Sequence, residues 1–435
     1  MKYKLSKYSL IIMFFYFIFF SLYPNSICIF QLEFYKKNNT NYTFENDIMQ
    51  INYFSKLSVG TPLLEIESLI TLESNSLYIT EGLVYNSNLS SSYLGLKHEE
   101  SRFNNEKFER AIFSSESFSL YNINKNKIKI KNIQFMLVTK TPVYNIKFPM
   151  SIGLKTKDNQ IKDYNLIYQL KKNNYIDSYS FTIKFENENK GKIIIGNLPH
   201  EYEGDKYYSG AFRYTNLVVD SKVHYWKFNV ENAYCGFDIF EKNRDIELSM
   251  NYGVFVGTLT YRDIILKKFF DERIKNKICE KKIINGTNYN YFSCNNNLDI
   301  IKFPILKFHS KVLNYTFEFD YNDLFKKIND GNYVFLIVFN IYFNSNWILG
   351  VPFLKKYQMI FDQDRAIIGF YIYSKENKNN LNIPRIISLI LLFIIIILIV
   401  LFLKSLSQKR RKVRANEIDE FYDYVPYKNM SINDN

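Results

Sequence analysis

The chain has 435 residues, of which 47% are hydrophobic and 23% are charged, with 56 Lys and Arg against 43 Asp and Glu. This apolar content excludes a disordered chain, and 15 Gly with 9 Pro exclude a collagen-like or linker architecture. Four Cys are too few for a disulfide-stapled scaffold, so the core must come from ordinary burial of apolar side chains.

The N-terminal residues 1–28 have the layout of a secretory signal. Lys2, Lys4 and Lys7 precede a short apolar stretch over 11–20. A basic start with a short apolar centre is typical of a signal peptide, whereas a mitochondrial presequence needs an amphipathic helix rich in Arg and Ser. The sequence therefore predicts a cleaved secretory signal over 1–28.

The long middle segment has the pattern of short β-strands. Alternating or β-branched and aromatic runs, bounded by Asn, Gly or Asp, occur at 127–138, 180–185, 192–195 and 225–230. Two helices are predicted, one over 163–172 and one from Thr260, with Asp263 as its capping partner, to about 278. The fold class is therefore all-β. About 350 residues exceed what one core usually serves, so we expect two lobes.

Cys279 and Cys294 flank a turn that contains the sequence Asn285-Gly-Thr287. In an oxidising compartment a disulfide between them would stabilise the fold by about 3 kcal/mol. The alternative is a pair of buried thiols. Glycosylation sequons begin at Asn38, Asn41, Asn88, Asn285 and Asn314.

Residues 386–403 contain a single polar side chain, Ser388, and are just long enough to span a bilayer. A basic cluster follows directly: Lys404, Lys409, Arg410, Arg411, Lys412 and Arg414. Because basic residues favour the cytosolic side, the sequence predicts a type I membrane protein with a lumenal or extracellular ectodomain. An ectodomain in that location argues against a nucleic-acid partner.

The predicted cytoplasmic tail, 404–435, carries two short tyrosine motifs. They are Tyr422-Asp-Tyr-Val425 and Tyr427-Lys-Asn-Met430, and both fit a Tyr-x-x-hydrophobic sorting signal. Such short patterns also arise by chance in a chain with 36 Tyr, so a sorting adaptor at Tyr422 or Tyr427 is a hypothesis.

Five stretches stand out in chain order: Phe54-Ser-Lys-Leu-Ser-Val-Gly-Thr-Pro62, Met150-Ser-Ile-Gly-Leu154, Gly191-Lys-Ile-Ile-Ile-Gly-Asn197, His224-Tyr-Trp-Lys-Phe228 and Trp347-Ile-Leu-Gly-Val-Pro-Phe-Leu354. Together they resemble the pepsin-like aspartic protease family, peptidase A1. The signal-plus-anchor layout resembles the membrane-bound plasmepsins of malaria parasites. The resemblance implies a bilobal pepsin-like fold, with an N-terminal lobe over 50–215 and a C-terminal lobe over 216–373.

The residues that this resemblance places at the catalytic positions are not acids. An aspartic protease needs two carboxyl groups, one from each lobe, that share a proton. Counting from the Gly-Thr-Pro turn puts Thr71 at the first position, followed by Leu72 and Glu73. In the second lobe Ser249 falls where the acid belongs, followed by Met250-Asn251. Hydroxyl groups cannot replace two carboxyl groups that share a proton.

Two further sets of residues bear on activity. Alignment places the tip of the flap, the hairpin that closes over the groove, at Ile112-Phe113-Ser-Ser115, without the family's tyrosine and glycines. Glu73 and Glu247 have the strand parity to point inward and are candidates for a substitute pair of acids.

These observations predict an inactive pseudoprotease that binds a peptide or protein partner between its lobes. The alternatives are a divergent active aspartic endopeptidase and a structural surface protein or adhesin. No cofactor is expected. No metal is expected either, because the His-Glu pairs at His98 and His200 lack the second His of a zinc-protease helix.

Overall fold

A computed structural model describes residues 28–37, 49–74, 76–99, 110–140, 148–155, 164–218, 225–328, 331–342 and 346–372. The predicted signal, apart from Cys28, and the predicted segments 386–403 and 404–435 lie outside these residues. Within the described ranges, no helix has both the length and the apolar character needed to cross a bilayer.

The described part of the chain is mostly β. Its first eleven strands are β1 (Phe30–Lys36), β2 (Tyr53–Val59), β3 (Leu64–Thr71), β4 (Leu77–Thr80), β5 (Leu94–Glu99), β6 (Arg110–Asn122), β7 (Lys127–Lys140), β8 (Met150–Gly153), β9 (Ser180–Phe185), β10 (Lys190–Ile195) and β11 (Phe212–Asn216). The remaining strands are β12 (Lys227–Cys235), β13 (Asp238–Leu248), β14 (Phe255–Gly257), β15 (Cys279–Ile283), β16 (Tyr289–Cys294), β17 (Leu306–Ser310), β18 (Tyr315–Phe319), β19 (Phe325–Lys327), β20 (Tyr333–Phe335), β21 (Ile337–Asn340), β22 (Trp347–Leu349), β23 (Ile360–Asp362) and β24 (Ile367–Tyr371).

These strands form two barrel-like sheets, consistent with the expected two lobes. The first sheet runs β11-β24-β23-β9-β10-β1-β2-β3-β8-β4-β7-β6-β5. The second runs β18-β17-β12-β13-β22-β14-β21-β16-β20-β19, with β15 paired to β16. The lobes do not divide at a single point in the sequence, because β23 and β24 pair with β9 and β11 of the first sheet.

Strand β1 lies before residue 50, where the first lobe was expected to begin. Its alternating side chains Phe30, Leu32 and Phe34 are buried, and it pairs antiparallel with β10 over six residues. The segment is therefore an integral part of the first sheet.

The helices are short: α1 (Leu166–Lys172), α2 (Pro199–Tyr202), α3 (Leu259–Ile265), α4 (Asp271–Lys275), α5 (Tyr321–Leu324) and α6 (Val351–Lys356), with a π-helical turn at Leu266–Phe270 between α3 and α4. The predicted helix over 163–172 corresponds to α1. The predicted cap at Thr260 is wrong by two residues, because Thr258 is the cap and its Oγ1 accepts a hydrogen bond from the Tyr261 N–H at 3.2 Å. The helical segment ends at Lys275, before the expected residue 278.

An aromatic cluster of Phe181, Trp226 and Phe361 packs between the two lobes. Phe361 of β23 stacks on Phe181 of β9, with ring centroids 4.8 Å apart, and packs edge-on against Trp226 at 4.9 Å. Trp226 is 1% exposed, and its Nε1 donates a hydrogen bond to the Leu154 carbonyl at 2.7 Å. Because this tryptophan precedes β12 of the second sheet and Leu154 follows β8 of the first, the contact fixes the lobes against each other.

The predicted disulfide is confirmed. Cys279 and Cys294 are bonded, and they lie directly opposite each other on the antiparallel strands β15 and β16. The bond therefore closes the hairpin that contains Asn285-Gly-Thr287.

Candidate functional site

Two equivalent turns face each other between the lobes. Strand β3 ends at Thr71, and β13 ends one residue before Ser249. The Thr71 Oγ1 accepts a hydrogen bond from the backbone N–H of Glu73 at 3.0 Å, and the Ser249 Oγ accepts one from the N–H of Asn251 at 3.1 Å. Side chains with a short hydroxyl form such turns locally. In each lobe the N–H that donates belongs to the residue two positions after the hydroxyl residue, so the two turns are structurally equivalent.

A glycine from a neighbouring strand lies against each turn. A side chain on Gly153, at the end of β8, would come within 2.4 Å of the Ser74 carbonyl oxygen. A side chain on Gly350, just after β22, would come within 2.2 Å of the Tyr252 carbonyl oxygen. Both positions require glycine because the backbones approach too closely for a Cβ atom. The motifs Met150–Leu154 and Trp347–Leu354 therefore supply the close packing that holds the turns.

The two turns are joined by hydrogen bonds across the lobe boundary. The Ser249 Oγ donates to the Glu73 Oε1 at 2.7 Å, and the Asn251 Nδ2 donates to the Thr71 Oγ1 at 3.1 Å. Each lobe thus contributes one hydroxyl residue and, two residues later, one longer polar residue that reaches the opposite hydroxyl. We call these four residues, Thr71, Glu73, Ser249 and Asn251, the inter-lobe ring.

Burial within the inter-lobe ring is uneven. Ser249 is 0% exposed and Thr71 is 5% exposed, so both hydroxyl groups are enclosed by protein. Glu73 is exposed and forms no ion pair within the described residues. The accessible chemical group of the ring is therefore a carboxylate that a buried hydroxyl holds in one place.

Glu247 lies near the inter-lobe ring but forms an ion pair with Lys227. Its carboxylate is 3.6 Å from the ammonium group of Lys227, and no hydrogen bond joins it to Glu73 among the described residues. Burial raises the pKa of Glu247, Lys227 opposes that rise, and the negative charge of Glu73 adds to it. The two glutamates are thus close enough to interact electrostatically without forming a pair that shares a proton.

Tyr225 and two lysines border these carboxylates. The ammonium groups of Lys155 and Lys227 lie 4.4 and 5.3 Å from the centre of the Tyr225 ring, within the range of a cation–π contact. Burial raises the pKa of Tyr225, and the charges of Glu247 and Glu73 raise it further. The region around Glu73 and Glu247 therefore carries charges of both signs around the ring of Tyr225.

The flap prediction is wrong in its position. Ile112 and Phe113 lie inside β6, where they pair with β5 on one side and β7 on the other, so they do not form the tip of a hairpin. Phe113 is buried and stacks on Tyr164 with ring centroids 4.5 Å apart. The connection between β5 and β6, residues 100–109, lies outside the described residues. Residues 112–115 are therefore part of a strand and not the tip of the flap.

Phe118, a few residues further along β6, lies in the core of the first lobe. It is 0% exposed, and its ring packs edge-on against Phe135 with centroids 6.2 Å apart.

The sequence singled out three members of the inter-lobe ring and left out Asn251 as a site residue. The sequence feature that could have identified Asn251 is its spacing, because it stands two residues after Ser249, as Glu73 stands two residues after Thr71. Pairing the two turns residue by residue would have found it.

The fold and the paired turns define a two-lobed β protein of the class that the sequence motifs resemble. Residues 52–371 match the sequence profile of the family described as eukaryotic aspartyl protease. The chain belongs to this family.

Among curated proteins, the chain is similar to plasmepsin I of Plasmodium falciparum (isolate 3D7), at 24% identity over 356 residues that cover 76% of this chain and 71% of that protein. It is also similar to plasmepsin IV of the same isolate, at 25% identity over 236 residues that cover 53% of this chain and 47% of that protein.

Solved structures share the fold at low sequence identity. Basic 7S globulin from soybean superposes with a TM-score of 0.61 at 13% identity, covering 81% of this chain and 97% of that one. Conglutin gamma from lupine seeds superposes with a TM-score of 0.60 at 11% identity and with the same coverage. At these identities the similarity concerns the fold alone.

Proposed function

We propose that this chain is a type I membrane protein whose aspartyl-protease-like ectodomain does not cleave peptides and instead binds a peptide or protein partner between its lobes. The ectodomain would act in the secretory pathway or at the cell surface. The inter-lobe ring carries this proposal, because hydrogen bonds within the protein occupy the place where two acids would have to share a proton.

The chemistry of the ring argues against acid–base catalysis. Catalysis by two aspartates depends on two carboxyl groups of similar acidity that hold one proton between them. In the ring, one carboxylate faces a serine hydroxyl, which is far too weakly acidic to take part in such sharing. Ser249 is also fully buried, so its oxygen cannot reach a substrate as a nucleophile.

A divergent active protease is the second candidate, and one observation favours it. Glu73 and Glu247 lie close enough for the charge of one to raise the pKa of the other. Against it, the Glu247 carboxylate lies 3.6 Å from the Lys227 ammonium group, and among the described residues no hydrogen bond joins it to Glu73.

The first experiment measures cleavage of a degenerate peptide library by the purified full-length protein between pH 4 and 7.5, with and without pepstatin. We expect no cleavage from protein that circular dichroism shows to be folded. Cleavage that pepstatin blocks and that Glu73→Gln abolishes would refute the proposal in favour of the divergent protease.

The second experiment tests binding. Glu73 offers an exposed, positioned carboxylate, so we expect library peptides with a Lys or Arg to be retained in preference to neutral or acidic ones. Glu73→Arg should abolish this preference. Glu65→Arg is the matched control, because Glu65 is likewise an exposed glutamate, on the outer part of the same strand β3. Retention that survives Glu73→Arg but fails with an outer-surface change would support the adhesin alternative.

Anchoring and routing belong to the same proposal. The predicted span 386–403 and the basic residues after it would leave the tail in the cytosol, where Tyr422 and Tyr427 could contact a sorting adaptor. An epitope tag at the C-terminus should be digested by protease added to intact microsomes, while the ectodomain is protected. A protected tag would refute the topology, and unchanged localisation of the Tyr422→Ala, Tyr427→Ala double variant would refute the sorting signal.

A further inference from the structure

A cavity lies between the lobes, behind the turn that contains Ser249 and Asn251. Its volume is about 380 Å³, which is within the usual range of small-molecule sites. Its lining comes from the start of the first lobe, from the turn between β9 and β10, and from helices α5 and α6 with the strands beside them. The residues that give the cavity its charge and its apolar wall are Glu188, Phe325, Lys326, Leu336, Val351 and Lys355.

The lining combines an apolar wall with an excess of positive charge. Phe325 and Val351 are 7% and 6% exposed and form the wall together with Leu336. At the mouth, the single carboxylate of Glu188 faces two ammonium groups, that of Lys326 at 3.1 Å and that of Lys355 at 3.7 Å.

The other ion pair in the lining does not cancel this excess. Lys356 is paired with Asp323 at 2.6 Å, and the pair adds no net charge. An ammonium group has three donors, so Lys326 and Lys355 can each bond an added anion while they keep Glu188.

We propose that this cavity is a binding site for a small amphipathic anion. A carboxylate or phosphate group would lie between Lys326 and Lys355, and an apolar body of aromatic size would lie against Phe325, Leu336 and Val351. A neutral ligand would leave the charge excess unmatched, and a cation would be repelled by it. The proposal is independent of the function proposed for the groove.

The position of the cavity links it to the inter-lobe ring. The Ile51 N–H donates to the Asn251 carbonyl, and the Val351 N–H donates to the Tyr252 carbonyl, both at 2.8 Å. Ile51, Val351 and Gly253 all line the cavity. A ligand there would therefore lie against the back of the loop whose front carries Ser249 and Asn251.

Three soluble probes separate the contributions of charge and apolar surface. Isothermal titration calorimetry on the full-length protein would measure 3-phenylpropionate, acetate and 3-phenylpropylammonium. We expect saturable one-to-one binding of 3-phenylpropionate, and binding weaker by about tenfold or more for acetate, which lacks the apolar body, and for the ammonium compound, which has the wrong charge.

Variants test the location. Lys355→Glu should lower the affinity for 3-phenylpropionate by about tenfold, because it removes a charged donor and adds repulsion. Lys190→Glu is the control, since Lys190 is similarly exposed and ion-paired on neighbouring β10 but does not line the cavity. Lys355→Gln, with a milder loss expected, replaces Lys355→Glu if that variant does not fold. Absence of saturable binding, equal binding of the ammonium compound, or full affinity in the Lys355 variants would each overturn the proposal.

Discussion

The inter-lobe ring makes one quantitative prediction about stability. In a double-mutant cycle, Ser249→Ala and Glu73→Ala are made singly and together, and the free energy of unfolding is compared among the four proteins. If the hydrogen bond from the Ser249 Oγ to the Glu73 Oε1 forms, the two substitutions must be coupled. Ser249 also accepts from the Asn251 N–H, so its loss alone removes two interactions.

The burial and charge of the two residues set the expected size of each change in the free energy of unfolding. A hydrogen bond to a charged group contributes about 1.5–3 kcal/mol, and the exposure of Glu73 reduces this value because water screens the charge. We therefore expect a coupling energy of about 1 kcal/mol between Ser249 and Glu73. Ser249→Ala alone should cost about 1–2 kcal/mol, since a partly buried backbone N–H loses its acceptor.

The assay is urea unfolding of residues 29–380, expressed in secreted form and followed by tryptophan fluorescence. The matched cycle combines Ser249→Ala with Glu65→Ala. Glu65 lies six residues before Thr71, or about 20 Å along β3, so these substitutions should be additive. A coupling between Ser249 and Glu73 no larger than in this control would refute the ring in solution, and with it the argument for an inactive site.

Three further outcomes follow from other contacts. Ser249→Asp places a second carboxyl group against Glu73 and raises the pKa of the pair in the folded state, so its thermal stability relative to the wild type should fall as the pH rises from 4 to 7; a constant difference would contradict this. Tyr85→Phe removes the buried donor 2.7 Å from the Glu116 carboxylate and should cost about 1–3 kcal/mol in urea unfolding, whereas no loss would mean that the carboxylate finds another donor. Cys294→Ser should lower the free energy of unfolding by about 3 kcal/mol, and reductant should then have no further effect.

Local sequence patterns predicted elements better than their ends. The β-branched and aromatic run at 180–185 is a strand with those bounds, because its residues are almost all buried and the polar residues Glu186 and Asn187 follow it. The predicted cap at Thr260 was misplaced because two Thr residues, Thr258 and Thr260, stand at the start of this helix, and Thr258 is the one with the extended backbone of a cap. Capping depends on backbone conformation, which the sequence does not show.

The flap shows where alignment fails. The spacing of the motifs could not supply the strand register in this part of the first lobe. The pairing of His98 with Ile112 places Ile112 inside a strand, near its start. Register between strands is a property of the assembled sheet, and a shift of a few residues changes which residues form the turn.

By itself, the sequence determined the composition of the two turns, the family and the disulfide. The Gly-containing motifs identify the places where backbones approach closely, and Thr71 and Ser249 stand where the resemblance places the two acids. Only the tertiary structure decided which contacts these two residues make. Ser249 and Glu73 are separated by 176 residues, and their hydrogen bond exists because β3 and β13 end at the same point between the lobes. Contacts between distant segments depend on how the lobes pack, which no local pattern encodes.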